Sequence, residues 1–221
     1  MRVRSWAPWV ALLVVALGLA YWLGATTPGA AVRTPGARLG PEAGQSVRVY
    51  RDAAAKSLAA APAGERRWAL ISPVAEWRAD EVWPRLGGVD GLDRVGRVLL
   101  RVPIPGVQTP TVTVPTGQSA EGVAAAGELA ALAVPDLVAP GARGEAIARV
   151  SASRLRAGRP AVVGVVVRGT GEALRAVAGG PGVRSVQVLP GDTGRYALAP
   201  LLPSFTDRAA PGPDDRPVPR T

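Results

Sequence analysis

Residues 162–190 read VVGVVVRGTGEALRAVAGGPGVRSVQVLP, and Gly169 and Gly171 stand where a nucleotide-binding loop would cradle a phosphate between a strand and a helix. Position 174, where the third glycine of that loop belongs, is Leu, and Glu172 would repel a phosphate while facing the helix dipole favourably. No Gly-x-x-x-x-Gly-Lys-Ser/Thr loop occurs in the chain. The spacing therefore predicts a tight strand-to-helix turn, and no cofactor is expected.

Two other constellations could carry chemistry. Glu76, Asp80 and Glu81 lie beside Trp77 and Trp83. Two carboxylates held about 5–10 Å apart, with aromatic stacking platforms, are what glycoside hydrolysis or glycan binding requires. The same acids on one short segment also suit a helix N-terminus, where negative charge is stabilised. Ser72 and Lys56 would make a Ser–Lys nucleophile pair if the lysine were desolvated within reach of the serine, but neither lies in a Ser-x-x-Lys arrangement. The expectation for Lys56 is an exposed helix position.

Composition removes much else. The chain has no His and no Cys, so thiolate or imidazole metal sites, disulfides and every Ser–His or Cys–His arrangement are excluded. An oxygen-ligand site for Ca²⁺ or Mg²⁺ stays open. Lys56 is the single lysine among 26 basic residues, the net charge is +9, and Ala, Gly, Pro, Val and Arg dominate, which reads as a high-GC bacterial source. Arg149, Arg154, Arg156 and Arg159 gather near the end of a predicted helix and could contact anionic lipid headgroups or an acidic polymer. An ordinary surface helix is the alternative. Nucleic acid is not an expected partner, because basic and aromatic residues do not interleave.

The strongest single signal is N-terminal. Between Arg4 and Arg33 run 28 residues without a charge, flanked by Trp6 and Trp9 at one end and Tyr21 and Trp22 at the other. A helix of about 20 apolar residues crosses a bilayer, and aromatic rings settle at its two interfaces. The reading is a cell-membrane, single-pass protein with residues 1–7 cytoplasmic, 8–25 a transmembrane helix, 26–44 a flexible linker, 45–200 an extracytoplasmic α+β domain and 201–221 a disordered Pro-rich tail. Secretion after signal cleavage is the alternative.

Between linker and tail, apolar periodicity and breakers predict a helix at 46–61, a strand at 67–75, a short helix before Gly87–Gly88, and a strand at 94–104. Pro84 makes the start of that short helix uncertain in position. An extended Pro/Thr loop at 103–116 follows, with four Pro and four Thr. Helices at 119–134 and 141–158, a strand at 161–168, a helix at 171–178 and a strand at 183–189 complete the domain. Two β-α-β units of this kind predict a ferredoxin-like sandwich with inserted helices: four strands, helices on one face, and the inserted helices on the other face or on a partner surface.

The segments YRDAA, RRWALISP and RVLLRVPIPGVQTP resemble uncharacterised actinobacterial single-pass membrane proteins over about residues 8–190. That resemblance implies a membrane location and a high-GC source, and it transfers no catalytic residue. The functional expectation is a non-enzymatic, membrane-anchored interaction or regulatory protein with a protein partner in the cell envelope. The alternatives are a cell-envelope enzyme or glycan-binding module acting through Glu76, Asp80 and Glu81, and a structural spacer.

Overall fold

The computed structural model describes residues 37–191 and 196–220. The predicted cytoplasmic N-terminus, the transmembrane helix with Trp6, Trp9, Tyr21 and Trp22, and most of the linker lie outside them. No helix among the described residues is long and apolar enough to cross a membrane.

The elements run β1 (Ala37–Leu39), α1 (Val47–Ala59), β2 (Arg66–Pro73), α2 (Ala79–Leu86), β3 (Leu92–Leu100), β4 (Val112–Pro115), α3 (Ala120–Ala124), α4 (Ala126–Ala133), a 3₁₀ turn (Val134–Leu137), α5 (Ala142–Arg156), β5 (Val162–Thr170), α6 (Gly171–Ala178), β6 (Val183–Val188) and β7 (Tyr196–Leu198). This is a mixed α+β fold. Five strands form one sheet in the order β4-β3-β5-β2-β6, with every neighbouring pair antiparallel. The last strand of each predicted β-α-β unit is separated from its first by a strand of the other unit, so the units interleave.

β5 sits at the centre. Val162 to Val167 are all buried, because both faces of the sheet are covered there. On one face, Ala69, Ile71, Val98, Val165 and Val167 meet Val82 and Leu86 of α2, Leu174 and Val177 of α6, and the inserted helices. The inserted helices thus join α2 and α6 on a single face. Ala126, Ala130 and Ala131 on α4 are small enough to let that helix lie close against α5.

The opposite face carries Leu70, Leu99, Val163 and Val166, and what covers it corrects the sequence reading. Leu39, Leu189 and Leu202 are buried there, with Trp68, Tyr196, Leu198 and Phe205 around them. β1 and β7 form a parallel two-stranded sheet. Residues 37–44, read as the end of a flexible linker, and residues 201–220, read as a disordered tail, are therefore part of the folded unit. Leu201 is fully buried against Val47, Tyr50 and Ala54 of α1. Residues 44–47 and 207–209 exchange backbone hydrogen bonds, from Gly44 to Ala209, Ala209 to Gln45, and Val47 to Asp207. Arg184 of β6 donates to the carbonyls of Leu202, Pro203 and Phe205. Proline lacks an N–H, but the carbonyls of a Pro-rich segment accept hydrogen bonds freely, and its few apolar residues suffice to anchor it.

α1 closes the β6 edge. Ser57 Oγ accepts from the Val188 N–H at 3.0 Å, and the Tyr50 hydroxyl donates to Gln187 Oε1 at 3.1 Å. The Pro/Thr stretch also departs from expectation, since its residues 112–115 form an edge strand on β3 with Val112 and Val114 buried. Pro115 stands at the strand end, where proline is tolerated. Pro84 lies within α2 at an exposed position, so the start of that helix is Ala79 and the proline falls in its later part.

Candidate functional site

The Gly169–Gly171 turn is architectural in the structure. Thr170 Oγ1 accepts from the Ala173 N–H, and the Thr170 and Glu172 N–H groups donate to the carbonyls of Gly91 and Ala63. A Cβ on Gly171 would stand 2.3 Å from the Pro62 carbonyl oxygen, so glycine is required by a close backbone approach. The Thr170, Glu172 and Ala173 N–H groups that a phosphate would use are thus taken.

The acidic cluster is divided. Trp77 is buried in the core and offers no stacking face to solvent; the Arg85 guanidinium lies 5.0 Å from its ring centroid. Glu81 accepts from the Arg78 backbone N–H at the start of α2 and pairs with Arg85 at 3.6 Å. Asp80 pairs with Arg78 at 2.9 Å, and hydrogen bonding to that guanidinium holds its carboxyl below the usual range. Both acids serve the helix start. Ser72 is fully buried on β2, whereas Lys56 is exposed on α1, so they form no nucleophile pair. Among the described residues no three acidic side chains converge as metal ligands.

Glu76 has a different position. It lines a cleft of about 420 Å³ with Arg101, residues 102–109, Val163, Leu202, Ser204, Phe205, and Ala210, Gly212 and Pro213 of the C-terminal segment. The backbone explains how the two charges come together. Trp77 exchanges hydrogen bonds with Ala161 and Val162, and the Arg101 N–H donates to the Ala161 carbonyl at 2.7 Å. Glu76 and Arg101 thus flank the start of β5 from opposite sides.

The loop forming the cleft rim is rigidly built. Residues 104–107 turn with Pro105 and Gly106 at the centre, the Val107 N–H returns to the Ile104 carbonyl, and Gly106 adopts a φ of +69°. Pro followed by a left-handed Gly is the signature of a type II turn. Thr109, itself buried, ties the loop base by donating to the Val102 carbonyl at 2.7 Å. The C-terminal wall is held by polar contacts. Asp214 accepts from Arg143 at 2.6 Å and from the Gln108 N–H at 2.9 Å, and the Arg216 N–H donates to the Gly106 carbonyl.

Arg101 is half-buried and forms no side-chain hydrogen bond or ion pair among the described residues. Burial pushes its pKa down from the ordinary arginine value, through desolvation. A guanidinium nevertheless stays charged at neutral pH, so the cleft holds a desolvated positive charge without a counter-charge in contact.

A second cleft of about 510 Å³ shares Glu76, Val102 and Pro103 with the first and adds Arg154, Arg159 and Ser153. Arg154 donates to the Pro103 carbonyl at 3.0 Å, linking α5 to the loop. Of the four arginines singled out in the sequence, Arg154 and Arg159 therefore border this cleft. Arg156 pairs instead with Glu128 of α4 at 3.2 Å, and Arg149 is exposed on α5.

The chain matches no protein-family model, no curated protein and no solved structure. The cleft therefore stands on its own geometry. Sequence reasoning named Glu76 of its lining, and Arg154 and Arg159 of the neighbouring cleft, but missed Arg101, Leu202 and Phe205. The available signal was the lone charge inside VLLRVPI, an arginine placed where a strand needs apolar residues.

Proposed function

We propose that this chain is a membrane-anchored, extracytoplasmic binding module with an interaction or regulatory role rather than a catalytic one. The observation that carries the reading is the cleft between the 102–109 loop and the C-terminal segment, with the uncompensated Arg101 in its wall. A concave, largely apolar site with a few convergent polar groups is the usual form of a ligand or partner site. The division of Asp80 and Glu81 among arginines at a helix start supports binding over carboxylate catalysis. The uncharged N-terminal run supports the anchor, and the YRDAA, RRWALISP and RVLLRVPIPGVQTP segments support an actinobacterial origin. The interleaved order β3-β5-β2-β6 supports a ferredoxin-like sandwich, extended by β4 and backed by the terminal segments.

The test places a photo-crosslinking residue at Gln108 on the cleft rim of the full chain in intact membranes. A defined adduct that disappears on charge reversal of Arg101 to Glu supports the reading. Adducts no different from those formed at exposed Val49 on α1 overturn it. A C-terminal reporter active outside the cytoplasm checks the orientation separately, and one active only inside refutes the topology.

A further inference from the structure

The geometry points to a specific ligand chemistry for this cleft: a small amphiphilic acid, with one carboxylate or phosphate group on Arg101 and an apolar arm along Ile104, Val107, Leu202 and Phe205. This inference rests on the binding reading above and deepens it.

Four observations lead there. The first is size: the cavity of about 420 Å³ falls in the range that encloses a small organic molecule, about 300–1,000 Å³. The second is the state of Arg101. A charge withdrawn from water without a partner is costly, and a bidentate oxyanion is the best-matched compensation for a planar guanidinium. Elsewhere the described arginines beside the C-terminal segment have partners: Arg143 pairs with Asp214, and Arg184 donates to three carbonyls. Arg101 differs in that it lines the cavity and has none among the described residues.

The third observation is the apolar wall. Ile104 and Val107 are buried at the turn, and Leu202 and Phe205 face them from the C-terminal segment. An inorganic anion would leave that surface unused. The fourth is the charge of the surroundings. Arg101, Arg154 and Arg159 line the joined clefts against one acid, Glu76, leaving an excess of two positive charges. That net positive lining favours an acidic ligand over a neutral or basic one.

The acid could be a soluble molecule or the head of a membrane lipid, and the two share the same chemistry at Arg101. The experiment uses the full chain in phosphatidylcholine nanodiscs, titrated calorimetrically with octanoate, octyl phosphate and uncharged octanol. Octanoate and octyl phosphate should bind at least tenfold more tightly than octanol. Arg101→Met should abolish that preference while its melting temperature stays equal or rises, because the substitution removes an unpaired buried charge. Leu202→Ala should weaken octanoate at least threefold while leaving its preference over octanol in place. Nanodiscs containing phosphatidylglycerol sort the source: competition with octanoate assigns a lipid head, and its absence a soluble acid.

Equal binding of octanoate and octanol, or octanoate binding unchanged in Arg101→Met, overturns the inference. A specific Gln108 adduct found alongside such a result would leave the interaction reading intact while removing this ligand class. Octanoate binding at Arg101 without any adduct would do the opposite.

Discussion

The two faces of the five-stranded sheet are built from different materials. The helix face is covered by continuous amphipathic elements, α2 to α6, whose apolar residues recur at helical spacing. The other face is covered by extended pieces from near the two ends of the described chain, β1, β7 and residues 199–205, and by α1 at its border. The first face is held chiefly by its continuous apolar core. The second is stitched by individual hydrogen bonds: Gln187 accepts from the Gly40 N–H and the Tyr50 hydroxyl, while Arg184 holds three carbonyls. Extended, Pro-rich covering satisfies few of its own backbone groups, so side chains from the sheet must do so. The cleft opens where this second kind of covering meets the 102–109 loop.

The comparison is broken most directly by removing the second covering. Truncation after Ala199 deletes Leu201 and Leu202, whose burial alone contributes about 3–6 kcal/mol. The truncated chain should lose its cooperative urea transition or shift it far downward. A transition within error of the intact chain would show that the segment is merely draped.

A finer test uses adjacent residues of β2. Leu70 points to the terminal face and Ile71 to the helix face, and both are fully buried. Leu70→Ala and Ile71→Ala should each cost about 2–5 kcal/mol by urea denaturation. A cost below about 1 kcal/mol for Leu70→Ala alone would mean that the terminal face is loosely packed.

Alkaline titration probes the stitched face through Tyr50. Desolvation pushes its phenol up to about 12, against 10.0 in the unfolded chain. The unfolded state releases this proton first, so the associated stability is complete below pH 10 and lost as pH rises through 12. The loss amounts to about 2–3 kcal/mol, and Tyr50→Phe should remove this part of the pH dependence. Identical alkaline slopes in the two proteins would contradict a buried phenol.

The smallest effect belongs to the exposed Arg143–Asp214 pair at the cleft wall. Hydrogen bonding from Arg143 lowers the Asp214 pKa, so its contribution is present above the unfolded carboxylate value and disappears as pH falls through the folded one. Arg143→Ala should leave the urea midpoint unchanged yet make residues 211–220 cleavable at pH 6 by limited proteolysis, as acidification to below the usual carboxylate range should in the unaltered chain. Equal protection of variant and wild type at pH 6 would show that the wall is held without this pair.

Much of the framework was legible in the sequence. The valine run before Gly169, the Gly179–Gly180 exit and the strand after it predicted α6 within a residue, because local turn chemistry and periodicity agree there. Glu81 as a helix-start acid was equally readable, since its partner is three residues away. The terminal segments were not. Their few apolar residues, Leu39, Leu201, Leu202 and Phe205, lack periodicity and sit among prolines and glycines, so no local pattern reveals that they share one surface.

The sequence by itself determined which chemistry is excluded, through the absence of His and Cys, and where helices and central strands form, through apolar spacing. It also held a hint left unused: β2 and β5 carry near-continuous apolar runs, which demand cover on both faces of a sheet. Only the tertiary structure decided what supplied that cover. It also decided that Arg101, Glu76, Leu202 and Phe205 line one cavity, because these contacts join residues about a hundred positions apart through strand pairing and closure of the C-terminal segment.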